Sequence, residues 1–266
     1  MKNKNFLKIC KEIRKKIIHI LYLAGSGHSG PSLSIVEILA YLYFVRKIIN
    51  KSKNEKIVLS KGHAAPALYA TLNIIGKINS KDFKSFRKIN SKLQGHPDRK
   101  LIKSIDAGTG ALGQGLSMAI GFAIAEKLKK NNKKTFCILG DGEIQEGQVW
   151  EAAMYAGAEK MDNLCAILDN NKMQNETFTK KTLDIYPIKK KWQAFNWNVH
   201  EIDGHSYSQI NNAFNKFYKN KNKPTIIIMN TVKGKGISFM ENKPEWHSKK
   251  VNYDDYKKAI QDIDKL

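Results

Sequence analysis

Residues 138–147 read ILGDGEIQEG, and a second apolar run ends in LDNNKM at 168–173. Carboxylates and amides are poor strand formers, so Asp141 and the Asp169-Asn170-Asn171 run stand where local preference would not put them. Residues placed against preference usually have a site to serve. An Asp carboxylate, an Asn amide oxygen and a nearby backbone carbonyl are hard oxygen ligands, the set that completes a Mg²⁺ octahedron together with phosphate oxygens. Gly140 and Gly142 let backbone approach closely, and a helix opening near Gly147 would aim free N–H groups at an anion. Asp-Gly and Asn-Asn also form turns after strands, and either cluster alone would read as one. Two of them thirty positions apart, with Glu143 and Glu146 between, favour a site.

Such a site needs strands that end side by side. Short β-rich apolar runs lie at 56–60, 135–140, 164–170, 198–203 and 225–231, alternating with helical patterns at 34–49, 64–75, 110–130, 147–160 and 206–219. This alternation predicts one α/β domain over residues 1–266, a mostly parallel sheet flanked by helices. The runs are nearly continuous in apolar character, as strands covered on both faces should be. Ligands of open parallel sheets bind beyond the strand carboxyl ends, and one βαβ crossover would bring Asp141 and Asn171 together there. Phe6, Leu7, Ile9, Cys10, Ile13, Ile17, Ile20 and Leu21 recur at helical spacing and predict an amphipathic N-terminal helix. A terminal helix is expected over about 254–263. Segments 91–109 and 171–198 read as long loops of the functional kind.

Composition narrows the setting. Of 266 residues, 42% are hydrophobic and 26% charged, enough for a full core and against global disorder. Cys10, Cys137 and Cys165 are far apart with no metal-binding spacing, which predicts buried thiols in a reducing compartment. The apolar stretch 33–45 is too short to span a bilayer and carries Glu37, and the N-terminus lacks the features of a secretion signal. A cytoplasmic protein without membrane association is expected. The net charge of +22 raises the possibility of a nucleic-acid partner. The lysines are spread among abundant Asn and Ile, the mark of A/T-rich coding, and no zinc-finger or RNP-like pattern accompanies them. A solvated basic surface is the favoured reading, with no nucleic acid expected.

GDG, about thirty residues, then NN resembles the thiamine diphosphate motif, and QEGQVWEAAMYAGAEKMDNLCAILDNNKMQ around it resembles the transketolase family. The likeness continues, in the family's order, through SGHSGPSL (26–33), LSKGHAAPALYATL (59–72), GHPD (95–98), GTGALGQGLSMAIG (108–121) and TVKGKGISFMENKPEWH (231–247). It implies the diphosphate-binding fold of thiamine diphosphate enzymes. Asp141, Asn171 and the backbone carbonyl of Met173 would hold Mg²⁺, or another divalent cation such as Ca²⁺, which grips the diphosphate. Gly142, Asn171, His63 and His247 would contact the diphosphate itself. Gly110 and Leu112 would meet the cofactor rings through backbone, and His28, His63, His96 and His247 would act on sugar hydroxyls or the reacting oxygen. Imidazoles suit that work because they exchange protons near neutral pH. Glu146 resembles the family's acidic residue at the subunit interface, with helix capping as the equal alternative. His19, His200 and His205 lack such context, and His205 in DGHS reads as a turn residue.

The likeness covers only the family's first domain. It therefore implies the N-terminal subunit of a split transketolase, acting on sugar phosphates with a separate C-terminal, pyrimidine-binding subunit; the expected assembly is an α2β2 heterotetramer. The competing readings are a noncatalytic assembly subunit, a basic nucleic-acid-binding protein on a degenerate enzyme fold, and a deoxyxylulose-phosphate synthase-like or 2-oxoacid dehydrogenase-like subunit.

Overall fold

The computed structural model describes residues 1–49, 55–175 and 177–266. In chain order the first half forms α1 (Asn3–Ala24), α2 (Ser29–Leu33), α3 (Val36–Ala40), β1 (Lys56–Leu59), α4 (Ala65–Ile74), α5 (Gln114–Leu128) and β2 (Thr135–Gly140). The second half forms α6 (Gly147–Ala158), β3 (Leu164–Asn170), β4 (Met173–Gln174), β5 (Thr177–Phe178), α7 (Thr179–Thr182) and α8 (Ile188–Ala194). It closes with β6 (Asn198–Asp203), α9 (Tyr207–Lys219), β7 (Thr225–Asn230) and α10 (Tyr253–Lys265).

The five apolar runs pair, all in parallel, in the order β1-β2-β3-β7-β6. Alternation along each strand sends side chains to two separate cores. Phe136, Ile138, Cys165, Ile167, Ile227 and Met229 pack under α1, α3, α4, α9 and α10. Cys137, Leu139, Ala166, Leu168, Ile226 and Ile228 pack under α5, α6 and α8. Strands covered on both faces have no solvent side to mark with polar residues, which is why β2 and β3 are buried throughout. Register then sets the site: Gly140 lies opposite Asp169, and Asn170 opposite Asn230, so three strands end level.

Several elements depart from the sequence reading. The pattern over 34–49 divides into α3 and a wider turn at Tyr41–Val45, closed by Arg46 N–H on the Tyr41 carbonyl at 2.9 Å. Helix α5 starts at Gln114, not residue 110, because Gly113 at φ +83° turns the chain and its N–H donates to the Glu143 carboxylate. The expected loop 171–198 holds the β4–β5 hairpin, α7 and α8. Helix α8 is short and lysine-rich, but it buries Ile188 and Trp192, with Trp192 packed between Trp150 and Trp197. Leu7 sits at helical spacing yet is 49% exposed. The three cysteines are buried and unpaired, as expected. Among the described residues no helix is long and apolar enough to cross a membrane.

Gly157 in α6 offers a test of this packing. A methyl group there would fall on the Phe195 carbonyl oxygen behind α8. Propensity alone predicts that Gly157→Ala stabilises the helix by ~1 kcal/mol. The close approach predicts the opposite sign, a loss of about 1–3 kcal/mol as in overpacked cores, measurable by urea unfolding.

Candidate active site

The carboxyl ends of β1, β2, β3 and β7 deliver Ser60-Lys61, Asp141-Gly142, Asp169–Asn171 and Thr231 to one edge of the sheet. Asp141 faces the β3–β4 turn: its Oδ2 accepts the Lys172 N–H and its Oδ1 accepts Gly142 N–H at 2.8 Å. Asn171 donates its Nδ2 to Asp169 at 2.9 Å and accepts Met173 N–H on Oδ1 at 3.0 Å. Each end of the amide keeps capacity beyond these bonds, a second lone pair on the oxygen for a cation and a second N–H for an anion. Asp141, Asn171 and Met173 all line one cleft of about 320 Å³.

The same cleft is lined by His28, His63, His96, His247, Gly110, Leu112, Gly142 and Glu146, so every residue singled out for catalysis, cofactor or metal borders a single space. Three imidazoles form a triangle, with ring centroids 5.2–5.3 Å apart among His28, His63 and His247. Close packing builds it. Gly30 abuts the Trp246 carbonyl, where a Cβ would stand at 2.8 Å, and Ser29 Oγ donates to that carbonyl at 3.0 Å. His28 and His247 are therefore carried in together. His96 is held by the buried Tyr69 of α4, whose hydroxyl donates to the Gln94 and His96 carbonyls at 2.9 and 3.2 Å. Thr109 ties the following loop to β1 through the Leu59 carbonyl at 2.7 Å.

Burial and neighbouring cations keep these imidazoles neutral. Burial, then Arg87, His96 and two lysines, lowers His28 to about 4. Burial, then Lys233, lowers His247 to about 3. His63 is pushed well down by burial and Lys61, and His96 down by burial and Arg87. The carboxylate facing the turn moves the other way: burial, then the charge of Asp169, lifts Asp141 to about 7.

The donor set fits a divalent cation carrying a diphosphate. Its oxygens are hard, and Asp141 is a buried carboxylate without the full compensation a charge there needs. Buried polar atoms also lack partners among the described residues beside the cleft, namely His247 Nδ1 and Gln174 Oε1. Gly142 has no room for a side chain, since a Cβ would meet Gln174 at 2.7 Å. Glu146 stands at the N-cap of α6 and makes no side-chain cap hydrogen bond, so a capping role there would be that of its charge at the helix N-terminus.

Four residues matter here in ways the sequence did not assign: Asp169 and Glu143 are visible there without a role, and Lys61 and Lys233 do not stand out. Asp169 accepts from Lys61 Nζ, Ser34 Oγ (2.6 Å), Thr231 Oγ1 and Asn171 Nδ2. Lys61 is its fully buried ion-pair partner. Glu143 gathers Ser60 Oγ, Gly113 N–H (2.9 Å) and Gly140 N–H (3.0 Å), joining β1, β2 and the TGALG loop. Lys233 is buried with its ammonium on the Asn175 carbonyl at 3.1 Å, beside the cleft. A charged residue embedded in apolar or glycine-rich sequence was the only available signal.

Residues 7–263 match the family described as transketolase, thiamine diphosphate binding domain. The chain is 40% identical to the 6-deoxy-6-sulfo-D-fructose transketolase subunit SqwG of Clostridium sp. (strain MSTE9), over 95% of this chain and 94% of that one. It is 36% identical to an apulose-4-phosphate transketolase subunit of Phocaeicola vulgatus, over 94% of this chain and 90% of that one. The crystal structure of transketolase from Campylobacter jejuni superposes with a TM-score of 0.91 at 31% identity, over 99% of this chain but 43% of the solved one. The family match, the relatives and the parallel sheet agree: this chain belongs to the transketolase family and corresponds to its thiamine diphosphate-binding domain.

Proposed function

We propose that this chain is the diphosphate- and Mg²⁺-binding subunit of a cytoplasmic transketolase. It would transfer a two-carbon ketol unit from a ketose phosphate to an aldose phosphate, as in the pentose phosphate pathway, together with a separate C-terminal subunit in an α2β2 assembly. The observation that carries this reading is the convergence of the oxygen ligands and four histidines on one cleft. Relatives named as subunits that match this chain nearly end to end support the split arrangement. When bound, thiamine diphosphate supplies a nucleophilic carbon and an electron sink.

The chain's own residues divide the remaining work. Asp141, Asn171 and the Met173 carbonyl would hold the cation, and Lys233, with Lys61 in its ion pair with Asp169, would set the positive charge beside the cleft. Neutral imidazoles can donate from one nitrogen and accept at the other, so His28, His63, His96 and His247 can serve hydroxyls and a developing oxyanion alike. Arrangement around the cleft also suits a covering partner. Leu112 at its mouth, Met118 on α5, and Met154 and Tyr155 on α6 are 37–57% exposed, and α5 is apolar around its whole circumference. We assign this face to the partner subunit. The relatives' names span apulose-4-phosphate and 6-deoxy-6-sulfo-D-fructose, so an assay should pair those sugars with xylulose 5-phosphate and ribose 5-phosphate.

The co-purified complex is expected to catalyse ketol transfer, and Asp141→Ala to weaken Mg²⁺-dependent cofactor binding by about 100-fold, or ~3 kcal/mol. Unchanged activity of an Asp141→Ala complex would refute the catalytic role. The histidines give a pH test. Unfolded His takes up a proton near 6.5, whereas folded His28 and His247 wait until about 4 and 3. The unfolded chain therefore binds more protons in that window, and stability falls as pH drops below 6.5 and levels near 3 to 4. NMR should show the His28 and His247 rings unprotonated at about pH 5.5.

A further inference from the structure

The loop after β7, Val232–Gly236, brings Lys233 to the cleft from behind. Its ammonium reaches Asn175 on the hairpin that lines the cleft, and its charge is felt by Asp141, Asp169 and His247. Bonds that hold the loop's position include Gly234 N–H to Gly30 O (3.2 Å), Asn242 N–H to Lys233 O (3.0 Å), Gly236 N–H to Glu241 Oε1 (2.9 Å) and the lysine ammonium to Asn175 O. One more is unusual. Val232 N–H donates to His205 Nε2 at 2.9 Å.

A backbone N–H can only donate, so His205 Nε2 must be the unprotonated nitrogen. The ring proton then sits on Nδ1, which lies 3.0 Å from Glu37 Oε2. Glu37 is buried in α3, and its other oxygen accepts Arg14 Nη2 at 2.6 Å. Arg14 in turn donates from Nε to the Lys235 carbonyl at 2.9 Å. The bracket is closed: it runs from Val232 through His205, Glu37 and Arg14 and returns to the same loop at Lys235, two residues past Lys233. Burial by itself would raise the Glu37 carboxyl, yet Arg14 and His205 outweigh it and hold it near 2, which keeps the acceptor charged. His205 is thus more than the turn residue its sequence context suggested.

We propose that His205, clasped between Glu37 and the Val232 amide, is a positioning residue that sets the Val232–Gly236 loop, and through it Lys233, against the diphosphate end of the cleft. This rests on the cofactor-binding reading above. Neither phenylalanine nor a rotated ring can supply an acceptor to Val232 and a donor to Glu37 at once. Glutamine reaches the Nε2 position with an acceptor oxygen and restores the Val232 bond alone.

The test compares full-length wild type, His205→Phe, His205→Gln and, as a packing control on the same face of the sheet, Phe214→Leu. Each is titrated with thiamine diphosphate in Mg²⁺ by calorimetry and melted without ligand. His205→Phe is expected to lose cofactor affinity by about tenfold or more, ~1.4 kcal/mol. His205→Gln should recover most of that loss, and Phe214→Leu should lower Tm without changing affinity. Equal affinity in His205→Phe and wild type, or an equal loss in Phe214→Leu, would overturn the proposal. If wild type binds no cofactor, the reading of the cleft fails, and the bracket is judged without ligand. Nitrogen NMR should then find the His205 proton on Nδ1 in wild type, and hydrogen exchange should find the Val232 amide protected in wild type and His205→Gln only. A proton on Nε2, or protection surviving in His205→Phe, refutes it.

Discussion

Asp169 is the buried charge on which the site is assembled. Its two oxygens take donors from three segments distant in sequence, Ser34 between α2 and α3, Lys61 after β1 and Thr231 after β7, and from Asn171 two residues on. A carboxylate taken out of water must be paired and hydrogen-bonded, and removing one member of such a pair costs about 3–5 kcal/mol. The need to satisfy Asp169 therefore pulls three distant chain segments to the end of β3. It also holds the Asn171 side chain in place, with the Met173 N–H on its oxygen as the second restraint. Glu143 repeats the device one strand away, where it fixes the TGALG loop that borders the cleft.

Charge arrangement around that hub suits an anion bound through a cation. Lys61 and Lys233 are buried behind the cleft, and their fields, added to burial, hold the His28–His63–His247 triangle neutral. Neutral rings leave both donor and acceptor capacity for sugar hydroxyls. Asp141 is the exception, a carboxylate whose burial beside Asp169 opposes its own ionisation. A divalent cation at this position would remove that opposition, so the metal and the ligand set stabilise one another.

Much of this was legible in the residues. Nearly continuous apolar runs separated by helical patterns pointed to the parallel sheet, and each of the five strand boundaries agrees to within one residue. Asp141 and Asn171 were readable because they break strand preference one βαβ unit apart. The start of α5 was not readable, since Gly113 departs from the helix to serve Glu143, a bond across thirty residues. Helix α8 was hidden because its stability comes from tryptophans on other segments. Lys61, Asp169 and His205 were hidden or misread for the same reason: a buried polar partner is a property of the fold, and no local pattern records it.

The cleft is open on one side, where Leu112 and Glu146 meet solvent beside exposed α5 and α6. On the proposed reading, the residues on this chain would grip a diphosphate and its cation, and activation of the cofactor ring would fall to the partner. Deuterium exchange at C2 of thiamine diphosphate, followed by NMR with Mg²⁺ present, measures that division directly. This chain alone is predicted to bind the cofactor yet leave C2 exchange at the rate of the free molecule, with acceleration only once the partner is added. Acceleration by this chain alone would contradict the division.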